Sequence, residues 1–200
     1  MYSSSVVTTY SIPSILTRAT PQDLTIQEKE KTILDAFKET GYFTTYFANQ
    51  NSPYPITRRL INVADENKIN FFDVNVKDYY DGAILPDFKS ALSTTPNKKF
   101  ILIHTLGSHF RYTNRYPKEF EVFKPVMNEY GYSELNFENR EKVINAYDNS
   151  VLYTDFFLSQ LIESLKIKNK NAVLLYLSDH GENLFDNKLK IFGHGTVNPT

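Results

Sequence analysis

Cysteine is absent from the 200 residues, so disulfides and thiolate metal sites are excluded and the redox compartment goes unread. Long apolar runs are absent as well: "FILI" at 100–103 and "AVLLYL" at 172–177 fall far short of the roughly 20 residues a membrane helix needs, and no membrane span is expected. At the N-terminus no charged segment precedes an apolar stretch, so no secretory signal is read there. Charge of one sign is not in excess either. Twenty-two basic and 23 acidic side chains leave a net −1, which recommends neither nucleic acid nor an acidic membrane surface as partner. No internal repeat or low-complexity segment interrupts the chain. What is present is 41% hydrophobic and 14% aromatic content, ample for the packed core of one ordinary domain.

The pattern alternates between helices and strands. A short helix is expected near Ser11 to Leu16, beginning about Thr8 or Thr9. Thr25 and Glu28 fit a capping box for a helix carrying Ile26, Ile33, Leu34 and Phe37, with Gly41 ending it. A strand follows at 42–48, a helix at 55–66, a short strand "NFFDV" at 70–74 and a helix at 81–94 that Pro86 interrupts or begins. "KKFILIH" at 98–104 and "AVLLYLS" at 172–178 are continuous apolar strands, and residues 141–165 carry Val143, Val151, Leu158, Ile162 and Leu165 on one helical face. Unalternating strands separated by helices predict an α/β domain: a mostly parallel central sheet with helices on both faces. In such sheets reactive groups gather beyond the carboxyl ends of the strands. Residues 49–52, 104–109 and 179–182 occupy those places.

Asp179 and His180 end one apolar strand and offer a hard oxygen beside an imidazole nitrogen, a mixture suited to zinc or a similar divalent ion. His104 and His109, in "HTLGSH", end another, and His194 lies in "GHG". All four histidines thus fall in strand-end loops. Singly each reads as a hydrogen-bonded loop histidine; together they read as a site. A cation beside a hydroxyl makes a nucleophile, and "SSSVVTTYSIPS" supplies hydroxyls at the start of a helix whose free amides can receive phosphate or sulfate oxygens. Simple helix capping is the bland reading of that stretch. "KIKNK" at 166–170, Phe156 and Phe157 read as solvated charge and packing.

The ordered stretches "TTYSIPS" at 8–14, "YYDGAIL" at 79–85, "HTLGSHFRYTNRYP" at 104–117, "YDNSVLYTDFFLSQLI" at 147–162, "YLSDHGENL" at 176–184 and "GHG" at 193–195 resemble those of the phosphoethanolamine transferases. These enzymes belong to the alkaline phosphatase and sulfatase superfamily. The resemblance implies an alkaline phosphatase/sulfatase-like fold and zinc-dependent transfer of phosphoethanolamine from phosphatidylethanolamine to lipid A or a related envelope glycan. It places Thr8 on the nucleophile that becomes a covalent ester, and Thr8, Asp179 and His180 on the zinc. It places His109 and His194 near the transferred phosphate, where they either bind a second divalent metal or move protons. His104 opens the same loop, and Asn51 lies where the family lines the ethanolamine or phosphate pocket.

The resemblance further implies that residues 1–200 are part of a catalytic domain truncated at both ends, since the family's acidic zinc ligand upstream of the nucleophile would fall before Met1. Ser4 and Ser14 stand where the family often has cysteines, and Pro55 lies near the place of a lysine. The full-length protein is expected at the periplasmic face of the bacterial inner membrane. Three rival readings remain: a sulfatase using the Ser11–Ser14 stretch, although Ile15 stands where its arginine belongs; a phosphoglycerol transferase; and a non-catalytic remnant.

Overall fold

Three strands, β1 (Phe43–Ala48), β2 (Glu66–Ile69) and β3 (Lys99–His104), form a parallel sheet with β1 in the middle. The structure is a computed structural model that describes residues 3–50, 54–70, 79–94, 96–127, 135–168, 171–186 and 190–194. In the ladder Ala48 stands opposite both Ile69 and His104, so the strands finish level and the chain that leaves them opens on one edge. β1 is buried on both faces because its side chains alternate between two cores. Tyr46 and Ala48 join Leu16 of α1 (Thr8–Leu16), Leu34 of α3 (Ile33–Glu39), and Leu60 and Ile61 of α4 (Pro55–Ile61), while the short α2 (Ile26–Lys29) links α1 to α3 without entering this core. Phe47 faces the other way, against Phe88, Phe157 and Leu161 of α5 (Leu85–Ser93) and α6 (Arg140–Lys168). Each such side chain taken fully from water contributes about 1.5–3 kcal/mol. The α/β layering expected from the unalternating strands is therefore present.

Several local expectations need correction. The cap before α3 is not at Thr25, whose backbone is already helical and whose hydroxyl donates to Asp23 at 2.7 Å. It is at Thr32, in extended geometry, where the hydroxyl accepts from the Asp35 amide at 3.2 Å and the Asp35 carboxylate accepts from the Thr32 amide at 2.7 Å. Gly41, at φ 81°, then closes α3 as expected. α4 stops at Ile61 rather than running to 66, and the next strand comes early: β2 is Glu66–Ile69, a mostly exposed edge strand without an apolar signature. Of the expected strand at 70–74, residues 71–74 lie outside the described residues. The largest departure is at 172–178. This segment joins no ladder, and Val173 and Leu175 are 96% and 79% exposed. A run of apolar side chains records a need for burial; a strand also needs a neighbouring edge to bond to.

A small third core gathers beside the sheet. Tyr112, Val143, Ala146 and Phe185 are buried there, next to a two-stranded antiparallel ribbon of β4 (Asn183–Leu184) and β5 (Phe192–Gly193). Asn183 pairs with Gly193, which sets the preceding Glu182 beside the following His194.

Candidate active site

The loop after β3 is held from below by a buried carboxylate. Asp81 accepts from the Leu106 amide at 2.9 Å, the Gly107 amide at 2.8 Å and the Asn49 side-chain amide at 2.8 Å, tying the ends of β1 and β3 together. Burial pushes the Asp81 carboxyl up, while these three donors and the Arg115 guanidinium pull it back. Gly107 takes φ 55° in this turn, a conformation that favours glycine. From the other side α6 moors the same region. Ser150 donates to Ser108 at 2.8 Å, Asn149 accepts from the amides of Val122 and Phe123 at 2.9 Å each, and Tyr153 accepts from the Gly82 amide at 3.2 Å. A Cβ at Gly82 would meet that Tyr153 hydroxyl at 2.6 Å, so a side chain here would push the tyrosine off this bond.

Against this frame the two ends of the chain meet. Thr8, the first residue of α1, donates its hydroxyl to Asp179 Oδ2 at 2.8 Å and lies 3.3 Å from His180 Nε2, across 171 and 172 positions of sequence. The Asp179 and His180 atoms are 3.5 Å apart. A tetrahedral shell with bonds of about 2.0–2.2 Å has edges of about 3.3–3.6 Å. Two of the three separations already match, and the third is a hydrogen bond that a cation would replace. His180 Nδ1 faces the Gly181 carbonyl at 3.0 Å, which leaves Nε2 as the lone-pair nitrogen toward Thr8. One hydroxyl, one carboxylate and one imidazole thus fit a divalent ion by donor type and spacing. Val7, at the N-cap of α1, offers no side-chain oxygen, so the first-turn amides have no side-chain cap.

A second group adjoins the first. The His194 ring lies 4.5 Å from the His180 ring, and its Nδ1 is 2.9 Å from Glu182 Oε2. His180, Glu182 and His194 each bring one candidate ligand atom within 4.8 Å of the others, a further arrangement able to receive a cation. The other Glu182 oxygen accepts from the Tyr112 hydroxyl at 2.7 Å. His109 is electrostatically coupled to His194 and Glu182, and burial holds its imidazole below the ordinary range, with the nearby Arg115 charge adding to the effect.

Of the residues singled out in the sequence, Thr8, Asp179, His180 and His194 therefore come together, and His109 lies within electrostatic range of His194 and Glu182. His104 is placed differently: Nδ1 is 2.9 Å from the Tyr46 hydroxyl and Nε2 is 2.7 Å from the Gln50 side-chain amide. With both nitrogens engaged and desolvation dominating, its pKa falls to about 4. Asn51 lies outside the described residues, while its neighbour Gln50 reaches the loop through His104 and the Thr105 carbonyl. Ser11, the rival nucleophile, is fully buried and donates to the Val7 carbonyl at 3.1 Å. Asp81, Glu182 and the α6 residues Asn149, Ser150 and Tyr153 were not assigned roles from sequence. Glu182 had a signal, two places from His180; a buried aspartate within "YYDGAIL" had none.

Comparison with known proteins bears on the family and the fold. The Sulfatase family profile matches residues 1–199. The chain is similar to the Kdo(2)-lipid A phosphoethanolamine 7''-transferase of Escherichia coli K12, with 32% identity over 78% of this chain and 27% of that protein. It is also similar to the phosphoethanolamine transferase EptC of the same organism, with 30% identity over 92% of this chain and 33% of that protein. Among solved structures, the C-terminal periplasmic domain of E. coli EptC in complex with Zn superposes with a TM-score of 0.83 at 27% identity, over 96% of this chain and 55% of that one. The corresponding EptC domain from Campylobacter jejuni gives 0.80 at 29% identity, over 97% and 59%. The chain thus spans about a third or less of these curated relatives and somewhat over half of the solved domains. On the profile match and the fold, the chain belongs to the sulfatase family, with phosphoethanolamine transferases among its relatives.

Proposed function

We propose that residues 1–200 are part of the catalytic domain of a phosphoethanolamine transferase, with Thr8 as nucleophile. The observation that carries this reading is the Thr8 hydroxyl bonded to Asp179 and in reach of His180 at the end of a helix with uncapped amides. In the first half-reaction the Thr8 oxygen, whose proton would pass to solvent when a cation replaces its bond to Asp179, attacks the phosphorus of phosphatidylethanolamine. The bond from phosphorus to the diacylglycerol oxygen breaks as that oxygen takes a proton from His109 or His194, and phosphoethanolamine remains esterified to Thr8. In the second, a hydroxyl or phosphate oxygen of lipid A or a related envelope glycan attacks the same phosphorus and Thr8 leaves. The uncapped α1 amides would face the phosphoryl oxygens with positive partial charge.

Zinc is the metal this reading assigns to Thr8, Asp179 and His180, and when bound it supplies Lewis-acid charge that makes the threonine oxygen reactive at neutral pH. His104 and Gln50 support the loop from behind. The full-length protein then works at the periplasmic face of the inner membrane, where donor and acceptor lipids meet; no helix among the described residues is long and apolar enough to cross a membrane. The buried Ser11 weighs against a sulfatase-type nucleophile.

The test is intact-mass analysis of zinc-loaded protein incubated with phosphatidylethanolamine. A phosphoethanolamine adduct is expected on the wild type and not on Thr8→Ala. An adduct kept by Thr8→Ala and lost in Ser11→Ala overturns the assignment.

A further inference from the structure

We propose that Glu182 and Tyr112 are positioning residues that hold His194 in one tautomer, with the proton on Nδ1 and the lone pair on Nε2. The role rests on the transfer reaction proposed above and assigns its acceptor-side base. A neutral imidazole in free solution is indifferent enough between its tautomers that the choice is made by whatever bonds one nitrogen. Here a carboxylate bonds Nδ1: Glu182 Oε2 stands 2.9 Å from it, and a carboxylate can only accept, so Nδ1 must donate.

The carboxylate is itself fixed. Its second oxygen takes the Tyr112 hydroxyl at 2.7 Å, and Tyr112 is fully buried among rings, with Tyr147, Phe110 and Phe192 centroids 5.2, 5.9 and 6.0 Å away. The backbone adds a second restraint, because the β4–β5 ribbon sets residues 182 and 194 side by side. Glu182 is therefore a short strut between a rigid aromatic core and a histidine whose ring is 4.5 Å from that of His180.

The chemistry follows from the tautomer. As the acceptor oxygen forms its bond to phosphorus and the Thr8–phosphorus bond breaks, the acceptor hydroxyl proton passes to His194 Nε2. The imidazolium so formed keeps its Nδ1 proton on Glu182, whose negative charge stabilises it. Without Glu182 the ring is free to place its proton on Nε2, where it cannot accept another.

The experiment is long-range proton–nitrogen NMR on histidine-labelled, metal-free protein at pH 8.5, where ordinary imidazoles are neutral. The wild type should show His194 protonated on Nδ1. Glu182→Leu should move the proton largely to Nε2, and Glu182→Gln, which keeps an acceptor oxygen, should restore Nδ1. Tyr112→Phe should give a mixture. Unchanged signals of the other histidines confirm that each variant is folded. A wild-type His194 protonated on Nε2, or no change in Glu182→Leu, overturns the proposal. In parallel, donor-loaded protein is mixed with acceptor lipid and decay of the Thr8 adduct is followed; Glu182→Leu should slow it about tenfold or more. Absence of any adduct in the wild type refutes the transfer reading while leaving the tautomer result intact. Decay at the wild-type rate despite a changed tautomer refutes the positioning role alone.

Discussion

Acidification should expose the cost of burying His104. Its pKa of about 4, against 6.5 for an ordinary histidine, means that the folded state holds it neutral where the unfolded chain already binds a proton. For a base with a depressed folded pKa the stability is present above the unfolded value and is lost as pH falls toward the folded one. The window is therefore pH 6.5 down to about 4. At about 1.4 kcal/mol for each pH unit the full effect is about 3 kcal/mol, most of it gone by about pH 4.5. The geometry supports this size: Gln50 donating to Nε2 fixes the proton on Nδ1, which donates to the Tyr46 oxygen, and adding a proton to Nε2 sets donor against donor. The assay is urea denaturation of wild type and His104→Asn from pH 7.5 to 4.5. Histidine to asparagine should be most destabilising at pH 7.5, and the difference should shrink by about 2–3 kcal/mol across the range. A difference that stays constant with pH, or an NMR titration of folded His104 near 6.5, would refute the argument.

Asp81→Asn turns one accepting oxygen into a carboxamide NH2, a donor that faces the Leu106 or Gly107 N–H, so a loss of about 1–3 kcal/mol is expected, with faster hydrogen exchange at those two amides as the local readout. Thr32→Ala removes the hydroxyl that accepts from Asp35, and chemical denaturation should show a loss of about 0.5–2 kcal/mol; the same change at Thr25, which caps nothing, should cost less.

How far the sequence revealed the molecule depended on which physical demand each segment states. β1 and β3 were legible because burial on two faces writes itself into the order of apolar residues; α6 was legible as a helix, but of its expected face Val151 and Ile162 are exposed, and the buried stripe runs through Val143, Ala146, Ser150, Tyr153, Phe157 and Leu161, where small and polar side chains hide it. β2 was missed because an exposed edge strand makes no such demand, and its residues Glu66, Asn67 and Lys68 look like a turn. The segment at 172–178 was misread for the converse reason: Leu174, Leu175 and Leu177 state an appetite for burial that hydrogen bonding did not meet. At the site, Asp179 and His180 could be named because a carboxylate beside an imidazole is chemically distinctive after an apolar run, whereas Thr8 was singled out among several N-terminal hydroxyls by the family resemblance. Their supports could not. Asp81 owes its place to backbone amides 25 and 26 positions away, and Glu182 to a tyrosine 70 positions away, separations that only folding closes.

One turn of α6 carries an uneven burden. Asn149, Ser150 and Tyr153 each tether a different stretch of chain, while Val151 and Phe156, on the outward side of the same helix, are 44% and 40% exposed. Rotating or kinking this single turn would slacken the histidine loop, the Gly82 crossing and the 122–123 connection simultaneously. Sequence drift along the helix should accordingly be free outside and narrowly restricted within, and an engineer seeking altered acceptor choice would do better to vary the loops than to touch their common mooring.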